Sequence, residues 1–476
     1  MARFFTSRYN FHIPTEEGDV LLYNASSGAV INFGGSDALA LARTLSGGSA
    51  EVPGGSLPGE VCLQLRRGGF IIPAGTDELL EIRERFRRAR EETPMVITLT
   101  TTMDCNLGCY YCYEDRSQDR LKIEDVPAIV ALAEARLAEN GKHALHVDWY
   151  GGEPLMNVEF MEAASAELQL LCRRLKVSYA SSIISNGTCW PEDVGSFISR
   201  HQIRQAQISF DGLRANHDRR RRFRAGYATD DGASSFDLAV RLVDKLLDFV
   251  RVDVRINIDR ANMADVLPFI MLARERGWFS RDYPAVIQPA RLSAYSERSS
   301  FMRGSELSLD EYEQIRALVR DESGGSFSVE ESESPDGFPY PRTSVCAALA
   351  RASVVIGADG RQYRCGLQVS EPHRAVEGAI RRPRRQLPVL GQMSGGNKAD
   401  ELWWVDFDPS RLPNCSRCSF LPVCWGGCPK KHLEGDEHAL HEQSLYWRRN
   451  LARLVASGVN RVAQAGYTFK ESDQFR

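Results

Sequence analysis

No apolar run in this chain reaches membrane-spanning length, and the opening residues Met1 to Asn10 contain no apolar stretch of the kind that directs secretion. A mean hydropathy of −0.32 agrees with a soluble globular chain. Cysteine is too sparse for a disulfide scaffold, at 12 in 476 residues. These features lead us to expect a cytoplasmic protein whose thiols are reduced and available to metal. No excess of either charge exists: 59 Lys and Arg stand against 63 Asp and Glu, a formal net charge of −4. A nucleic-acid binder more often carries a strongly basic domain, so neither nucleic acid nor membrane is expected as a partner. The length allows two to four domains.

The cysteines that are present cluster. Cys105, Cys109 and Cys112 stand in the run Cys105-Asn106-Leu107-Gly108-Cys109-Tyr110-Tyr111-Cys112, a CxxxCxxC spacing. Three thiolates can hold three irons of a 4Fe–4S cube and leave the fourth iron open to chelate a small molecule and pass it one electron. Zinc fits this spacing poorly, because it takes four tetrahedral ligands and usually draws them from two CxxC pairs.

From Met95 onward, short β-branched runs alternate with amphipathic stretches. The expected strands are Val96 to Thr102, Ala144 to Tyr150, Val177 to Ser185, Gln205 to Phe210, Val252 to Ile258 and Ala285 to Gln288. Helical patterns lie between them, as at Ile129, Leu132, Ala133, Leu137 and at Phe236, Val240, Val243, Leu247. Six strand–helix repeats predict a parallel sheet with right-handed crossovers, whose ligands bind at the C-terminal strand ends. The cysteine motif follows the first strand directly. After the next three come Tyr150-Gly151-Gly152-Glu153-Pro154, Ser185-Asn186-Gly187-Thr188 and Ser209-Phe210-Asp211-Gly212. Glycines there let backbone donors and acceptors approach a ligand and Glu153 adds a carboxylate, although a single loop of this kind is usually only a turn.

Residues 95 to 290 resemble the radical S-adenosylmethionine (radical SAM) superfamily, whose signature CxxxCxΦC is followed one strand later by GGEP. Both are intact here, with Tyr111 as the aromatic Φ. The resemblance implies an α/β fold containing a partial, TIM-like (β/α)6 barrel, with Cys105, Cys109 and Cys112 on the cluster and its free iron chelating the methionine moiety. It further implies that Gly151, Gly152 and Glu153 face the methionine amino group, and that Tyr111, Asn186, Ser209, Ile256 and Asn257 line the cofactor site. One arginine of the run Arg219 to Arg224 would pair the methionine carboxylate through a bidentate fork; the competing reading of that run is a solvated basic turn. The implied reaction is reductive cleavage of S-adenosylmethionine to a 5′-deoxyadenosyl radical, fed by a one-electron donor such as flavodoxin or ferredoxin.

The C-terminal third adds Cys346 and Cys365, with Gly360 in a Gly-x4-Cys arrangement, and the compact run Cys415-x2-Cys418-x5-Cys424-x3-Cys428. A zinc ribbon is an alternative for the second group. The combined pattern resembles the SPASM extension of radical SAM enzymes, which implies two auxiliary 4Fe–4S clusters: Cys346, Cys365 and Cys428 on the first, and Cys415, Cys418 and Cys424 on the second. The chain departs from that pattern in having no cysteine after Cys428. Ser444 stands near the expected place; His438, His441, Glu442 or another oxygen or nitrogen donor are further candidates for the missing ligand, with an open iron or a labile cluster as the alternatives. Cys62, Cys172 and Cys189 read as small buried hydrophobes.

In the first ninety residues, Val20 to Asn24 and Ala29 to Asn32 flank Ala25-Ser26-Ser27-Gly28, a hairpin signal. Helical patterns follow at Asp37 to Leu45, Gly59 to Arg67 and Leu79 to Arg90, with Phe70 to Ile72 between the last two. This region resembles the small winged-helix module with which maturases of ribosomally made peptides grip a precursor's leader at a strand edge; the alternative is a capping domain. Asp321 to Ser344 reads as a disordered linker. Pro372 to Lys398, with Arg381, Arg382, Arg384 and Arg385, reads as a solvated insertion. The expected domains are residues 1–90 (leader recognition), 91–292 (radical SAM barrel), 293–345 (bridge and linker) and 346–476 (SPASM). The function expected is a radical SAM peptide maturase that cross-links side chains of a precursor peptide, with action on a protein such as a sulfatase, or on a small metabolite, as alternatives. A zinc or redox scaffold without radical chemistry is the alternative from a different class.

Overall fold

Apolar alternation along the six central runs produces six parallel strands, Met95–Thr100, Ala144–Tyr150, Ser178–Ser185, Ile203–Phe210, Arg251–Ile258 and Val286–Arg291, each paired with the next in chain order. Met95, Ile97 and Leu99 on the first strand, and Leu145, Val147 and Trp149 on the second, are buried as the period of two requires. Helices at Val126–Glu139, Val158–Leu175, Val194–His201, Ser235–Leu246 and Val266–Glu275 form the crossovers. Their starts are set by side chains that accept orphan backbone donors, such as Asp193 from Ser196 and Ser234 from Asp237. Two short strands extend the sheet beyond its first member: Val354–Ile356 runs parallel to Met95–Thr100, and Gln362–Tyr363 runs antiparallel at the edge. The α/β fold is thus the partial barrel expected, with strand ends displaced by two residues or fewer in most cases.

The computed structural model describes residues 3–46, 48, 50–52, 57–228, 232–294, 297–324, 326, 338–376, 379–380 and 398–464. Arg381, Arg382, Arg384 and Arg385, most of the Pro372 to Lys398 insertion, and residues 325 and 327–337 of the linker lie outside them. Two compact units emerge. One comprises residues 91–328 and 346–406, the other residues 1–90, 329–345 and 407–476. Residues 346–476, grouped as one domain from the sequence, are divided between the two.

Residues 1–90 likewise share a unit with distant segments. Arg8 donates to the Ser416 carbonyl at 2.7 Å, Phe11 packs on Phe420 with ring centroids 4.8 Å apart, and Arg90 donates to the Phe407 carbonyl at 3.1 Å. The hairpin forms as expected, Val20–Asn24 against Val30–Phe33, and its turn is held by Asn24 Oδ1 accepting the Ser26 and Ser27 amides. Asn10–Pro14, unread from the sequence, pairs on the other side of Val20–Asn24. The described end of the Asp321 to Ser344 linker is packed within the same unit: Phe338 meets Tyr23 edge-on at 5.9 Å, and the Tyr23 hydroxyl donates to the Pro339 carbonyl. Among the described residues no helix is long and apolar enough to cross a membrane.

Candidate active site

The chain leaves the first barrel strand through Thr101 and Thr102 and turns into the cysteine loop, which is clamped on two sides. On one side the Gly152 amide donates to the Thr102 carbonyl at 2.9 Å and the Glu153 amide to the Asp104 carbonyl at 3.0 Å. A Cβ on Gly151 would lie 2.3 Å from the Thr102 oxygen, and one on Gly152 would lie 2.4 Å from the Asp104 oxygen. Close approach of two backbones explains both glycines. The amides of Gly152 and Glu153 therefore serve the cysteine loop itself, whereas the sequence reading had turned such donors toward a ligand.

The second clamp is the arginine run. Gly108 donates to the Arg222 carbonyl at 2.8 Å, the Arg224 amide donates to the Asn106 carbonyl at 2.9 Å, and Leu107 bridges Phe223. The Arg224 side chain reaches Asp104 at 2.5 Å and the Cys105 carbonyl at 2.6 Å. This run is no solvated turn, since Arg220 and Arg221 are buried.

Within the loop Cys109 lies close enough to Cys105 and to Cys112 to raise the pKa of each. Burial pushes Cys105 up to about 12, with Glu153 and Cys109 adding to it, and pushes Cys112 up to about 11, with Glu114 and Cys109 adding. Burial also raises Cys109, against the opposing charge of Arg221. Such thiols ionise only when a cation takes the proton's place. Cys105 Sγ accepts the Leu107 amide at 3.5 Å and the Asn186 side-chain amide at 3.7 Å. A cavity of ≈ 230 Å³ is lined by Gly108, Cys109, Tyr110, Cys112, Glu114 and Arg116. Among the described residues no three His, Cys, Asp or Glu side chains converge on one ion; thiolates on a cube sit on separate irons.

Glu153 is fully buried. Burial raises it to about 7 despite the hydrogen bonds it accepts from the Asn186 amide at 2.8 Å and the Ser185 hydroxyl at 2.9 Å. Asn186 also donates to Asn106 at 2.8 Å. Tyr111 donates to Asp211, which takes Arg220 Nε at 2.8 Å and Asn257 Nδ2 at 3.2 Å; Arg220 continues to both oxygens of Asp259 at 3.0 Å. Burial alone would raise Asp211, but the Arg221 and Arg220 guanidiniums outweigh it and hold the carboxyl below its usual range. Arg220 Nη2 and Arg221 Nε are buried without a protein partner.

Ile256 is buried opposite Phe210, and half-buried Ser209 stands in register with Arg255. Asp259 was missed from the sequence, and Arg220, read only as one of the run Arg219 to Arg224, was not paired with it. Their signal is a charged residue placed directly after the strand ending at Ile258, facing the loop after the neighbouring strand. Cys172 is buried, Cys62 packs on the core of residues 20–71, and half-buried Cys189 lies near Glu153.

Cys346 and Cys365 belong to the barrel unit, where Arg364 ties their segments together by donating to the carbonyls of Ala348, Ala350 and Ser353 at 2.8–3.1 Å. In the other unit burial raises Cys424 to about 12 and also raises Cys415, with Cys415 and Cys418 adding to the first and Cys418 to the second. Trp425, Gly426 and Gly427 follow with φ of 47°, 77° and 79°, and Cys428 opens the helix Pro429–Glu434. Ser444, His438 and His441 are exposed, and Ser444 Oγ accepts from Arg448 at 3.4 Å.

The three-cysteine loop thus sits at the C-terminal end of the first strand of a partial parallel barrel, the edge at which such barrels place their active sites. Residues 99–277 match the family model described as Radical SAM superfamily. Those residues form a radical SAM domain, and that family works with S-adenosylmethionine and a 4Fe–4S cluster. A serine-type anaerobic sulfatase-maturating enzyme of Klebsiella aerogenes is 24% identical over 382 residues, covering 77% of this chain and 81% of that protein. The solved structure of native anSMEcpe with bound AdoMet and Cp18Cys peptide shares the fold, with a TM-score of 0.54 and 17% identity over 77% of this chain and 100% of its own. Streptococcus suis SuiB bound to precursor peptide SuiA gives a TM-score of 0.46 at 13% identity, covering 90% of this chain and 95% of SuiB.

Proposed function

We propose that this enzyme modifies a peptide, removing hydrogen from one side chain and joining that side chain to another through a thioether, C–C or C–O bond. Cys105, Cys109 and Cys112 are the protein ligands of the reactive cluster in this reading. Their setting fits a cube: three thiols raised by burial in a loop clamped at both sides, with N–H donors aimed at Cys105 Sγ. When bound, the cluster and S-adenosylmethionine together supply a 5′-deoxyadenosyl radical able to take hydrogen from an unactivated C–H bond.

The chain's own residues bind and orient. Of the arginine run, Arg221 is best suited to the methionine carboxylate, because its guanidinium interacts with Cys109 and Tyr111 and its Nε is buried without an acceptor. Glu153, fixed by Ser185 and Asn186, supplies negative charge for the methionine ammonium, with Gly151 and Gly152 setting its position. Ser209, Ile256 and Asn257 line the rest of the cofactor. Cys346 with Cys365, and Cys415 with Cys418 and Cys424, serve auxiliary clusters of the SPASM type. In the other unit the sheet of residues 10–33 has Asn10–Pro14 and Val30–Phe33 as its edges, and an extended leader would add as a further strand there.

The observation that supports a polypeptide substrate is similarity to a sulfatase-maturating enzyme over 382 residues, well beyond the radical SAM match. The same similarity favours a second reading, oxidation of a single side chain on a sulfatase-like protein. Both are tested with reduced enzyme, S-adenosylmethionine, and either a short peptide encoded beside this gene or a sulfatase-derived peptide. Loss of two hydrogens with suppressed fragmentation between two residues is the expected result. Oxidation confined to one residue would shift the assignment to the second reading, and turnover of small metabolites alone would sink both.

A further inference from the structure

The second auxiliary set, Cys415, Cys418 and Cys424, offers three thiols to a cluster with four irons, and the exposed His438, His441 and Ser444 stand on the long helix Glu437–Gln464. A different histidine, His432, stands at the turn beside one of these thiols, Cys415. A Cβ on Gly426 would be 3.7 Å from Cys415 Sγ and 3.7 Å from His432 Nε2, so the thiol and the imidazole flank one point of the turn. That turn is the left-handed run Trp425-Gly426-Gly427 directly after Cys424. Half-buried His432 sits on the helix Pro429–Glu434 and packs against Phe407 with ring centroids 5.6 Å apart.

We propose that His432 is the fourth protein ligand of this cluster, bound through Nδ1; the inference rests on the reading that Cys415, Cys418 and Cys424 hold a cluster. Its Nε2 lies 2.8 Å from the Gly426 carbonyl. A carbonyl oxygen only accepts, so Nε2 carries the proton and the lone pair is at Nδ1. A ring N–H donated to a backbone carbonyl is the arrangement that fixes tautomer and orientation in metal-bound histidines. Ligation by the neutral imidazole releases no proton.

The test uses the full chain, reconstituted anaerobically with iron and sulfide, in a Cys105→Ala, Cys109→Ala, Cys112→Ala background so that only auxiliary clusters are read. With histidine labelled by nitrogen-15 at Nδ1, pulsed EPR of the reduced protein is expected to show a directly coupled nitrogen. The coupling disappears in His432→Ala and persists in His438→Ala and His441→Ala. His432→Cys keeps the iron, loses the coupling and lowers the reduction potential, because thiolate brings a charge that imidazole lacks. Coupling that survives His432→Ala, or is absent from a parent protein loaded with both clusters, overturns the ligand. Cys415→Ser, Cys418→Ser and Cys424→Ser combined separate this from the underlying reading: unchanged iron in that variant means that no cluster is bound there, and both fall.

Discussion

The Tyr111 hydroxyl donates to Asp211 Oδ1 at 2.7 Å and accepts from Arg221 at 2.8 Å. The aromatic position of the cysteine motif is thereby hydrogen-bonded to the loop after the fourth barrel strand. Arg220 also lies over the Tyr111 ring, 5.3 Å from its centroid. Tyr111→Phe keeps the ring and removes the hydroxyl, leaving Asp211 and Arg221 each one bond short. A hydrogen bond to a charged group contributes about 1.5–3 kcal/mol, and a loss of that size is expected in chemical denaturation. An unchanged midpoint would show that the hydroxyl is dispensable.

Gly151 has φ of 141° and a forbidden Cβ position against the Thr102 carbonyl. Gly151→Ala is expected to displace the cysteine loop, lowering 5′-deoxyadenosine formation by at least about tenfold, equivalent to about 1.4 kcal/mol in the barrier. Iron analysis and product chromatography on one sample would check it. Wild-type turnover in this variant would mean that the two backbones can separate without consequence.

His201 is buried, with both ring nitrogens unpartnered among the described residues, and burial lowers its pKa to about 4. The unfolded chain, with an ordinary value near 6.5, takes up the proton first, so stability is fully present above about pH 6.5 and declines as pH falls toward 4. The decline is about 1.4 kcal/mol per pH unit for this one proton. His201→Phe fits the same contacts with Phe197 and Trp149 and should flatten the slope of stability against pH by one proton. Equal slopes for both proteins would show that His201 does not titrate on unfolding. His217, lowered by burial to about 3, leaves a residual slope of the same sign.

Deleting residues 1–88 removes more than a candidate leader-binding sheet: it also strips Arg8 from Ser416, Phe11 from Phe420 and Phe86 from Trp425, the last with ring centroids 5.2 Å apart. On the proposal that Cys415, Cys418 and Cys424 hold a cluster and that this unit holds a leader, iron at the Cys415 group should fall along with peptide binding. Full auxiliary iron in the truncated protein would show that these contacts are not needed to hold the cysteines.

The barrel was legible because each strand carries its own period-two signal and each crossover its own 3.6-residue signal. The cysteine loop was legible from spacing alone. Arg220 with Asp259 was not, because the partners are 39 residues apart and only the parallel order of the strands brings them together. Nor was the pairing of Arg8 with Ser416 across 408 residues, for which no local pattern exists. The glycines of Tyr150-Gly151-Gly152-Glu153 were read correctly as a close approach but were assigned to a ligand, since sequence does not say which backbone comes near.

The unit built from residues 1–90, 329–345 and 407–476 has a consequence for biosynthesis. Its first strands leave the ribosome early, while the segment carrying Phe420 and Trp425 follows more than three hundred residues later. At about 5–20 residues per second, that interval is on the order of tens of seconds. During it Phe11 and Phe86 lack their partner rings, and closing so long a loop is slow. Newborn chains therefore present a half-made core, with the apolar rings of Phe11 and Phe86 uncovered until the segment carrying Phe420 and Trp425 emerges.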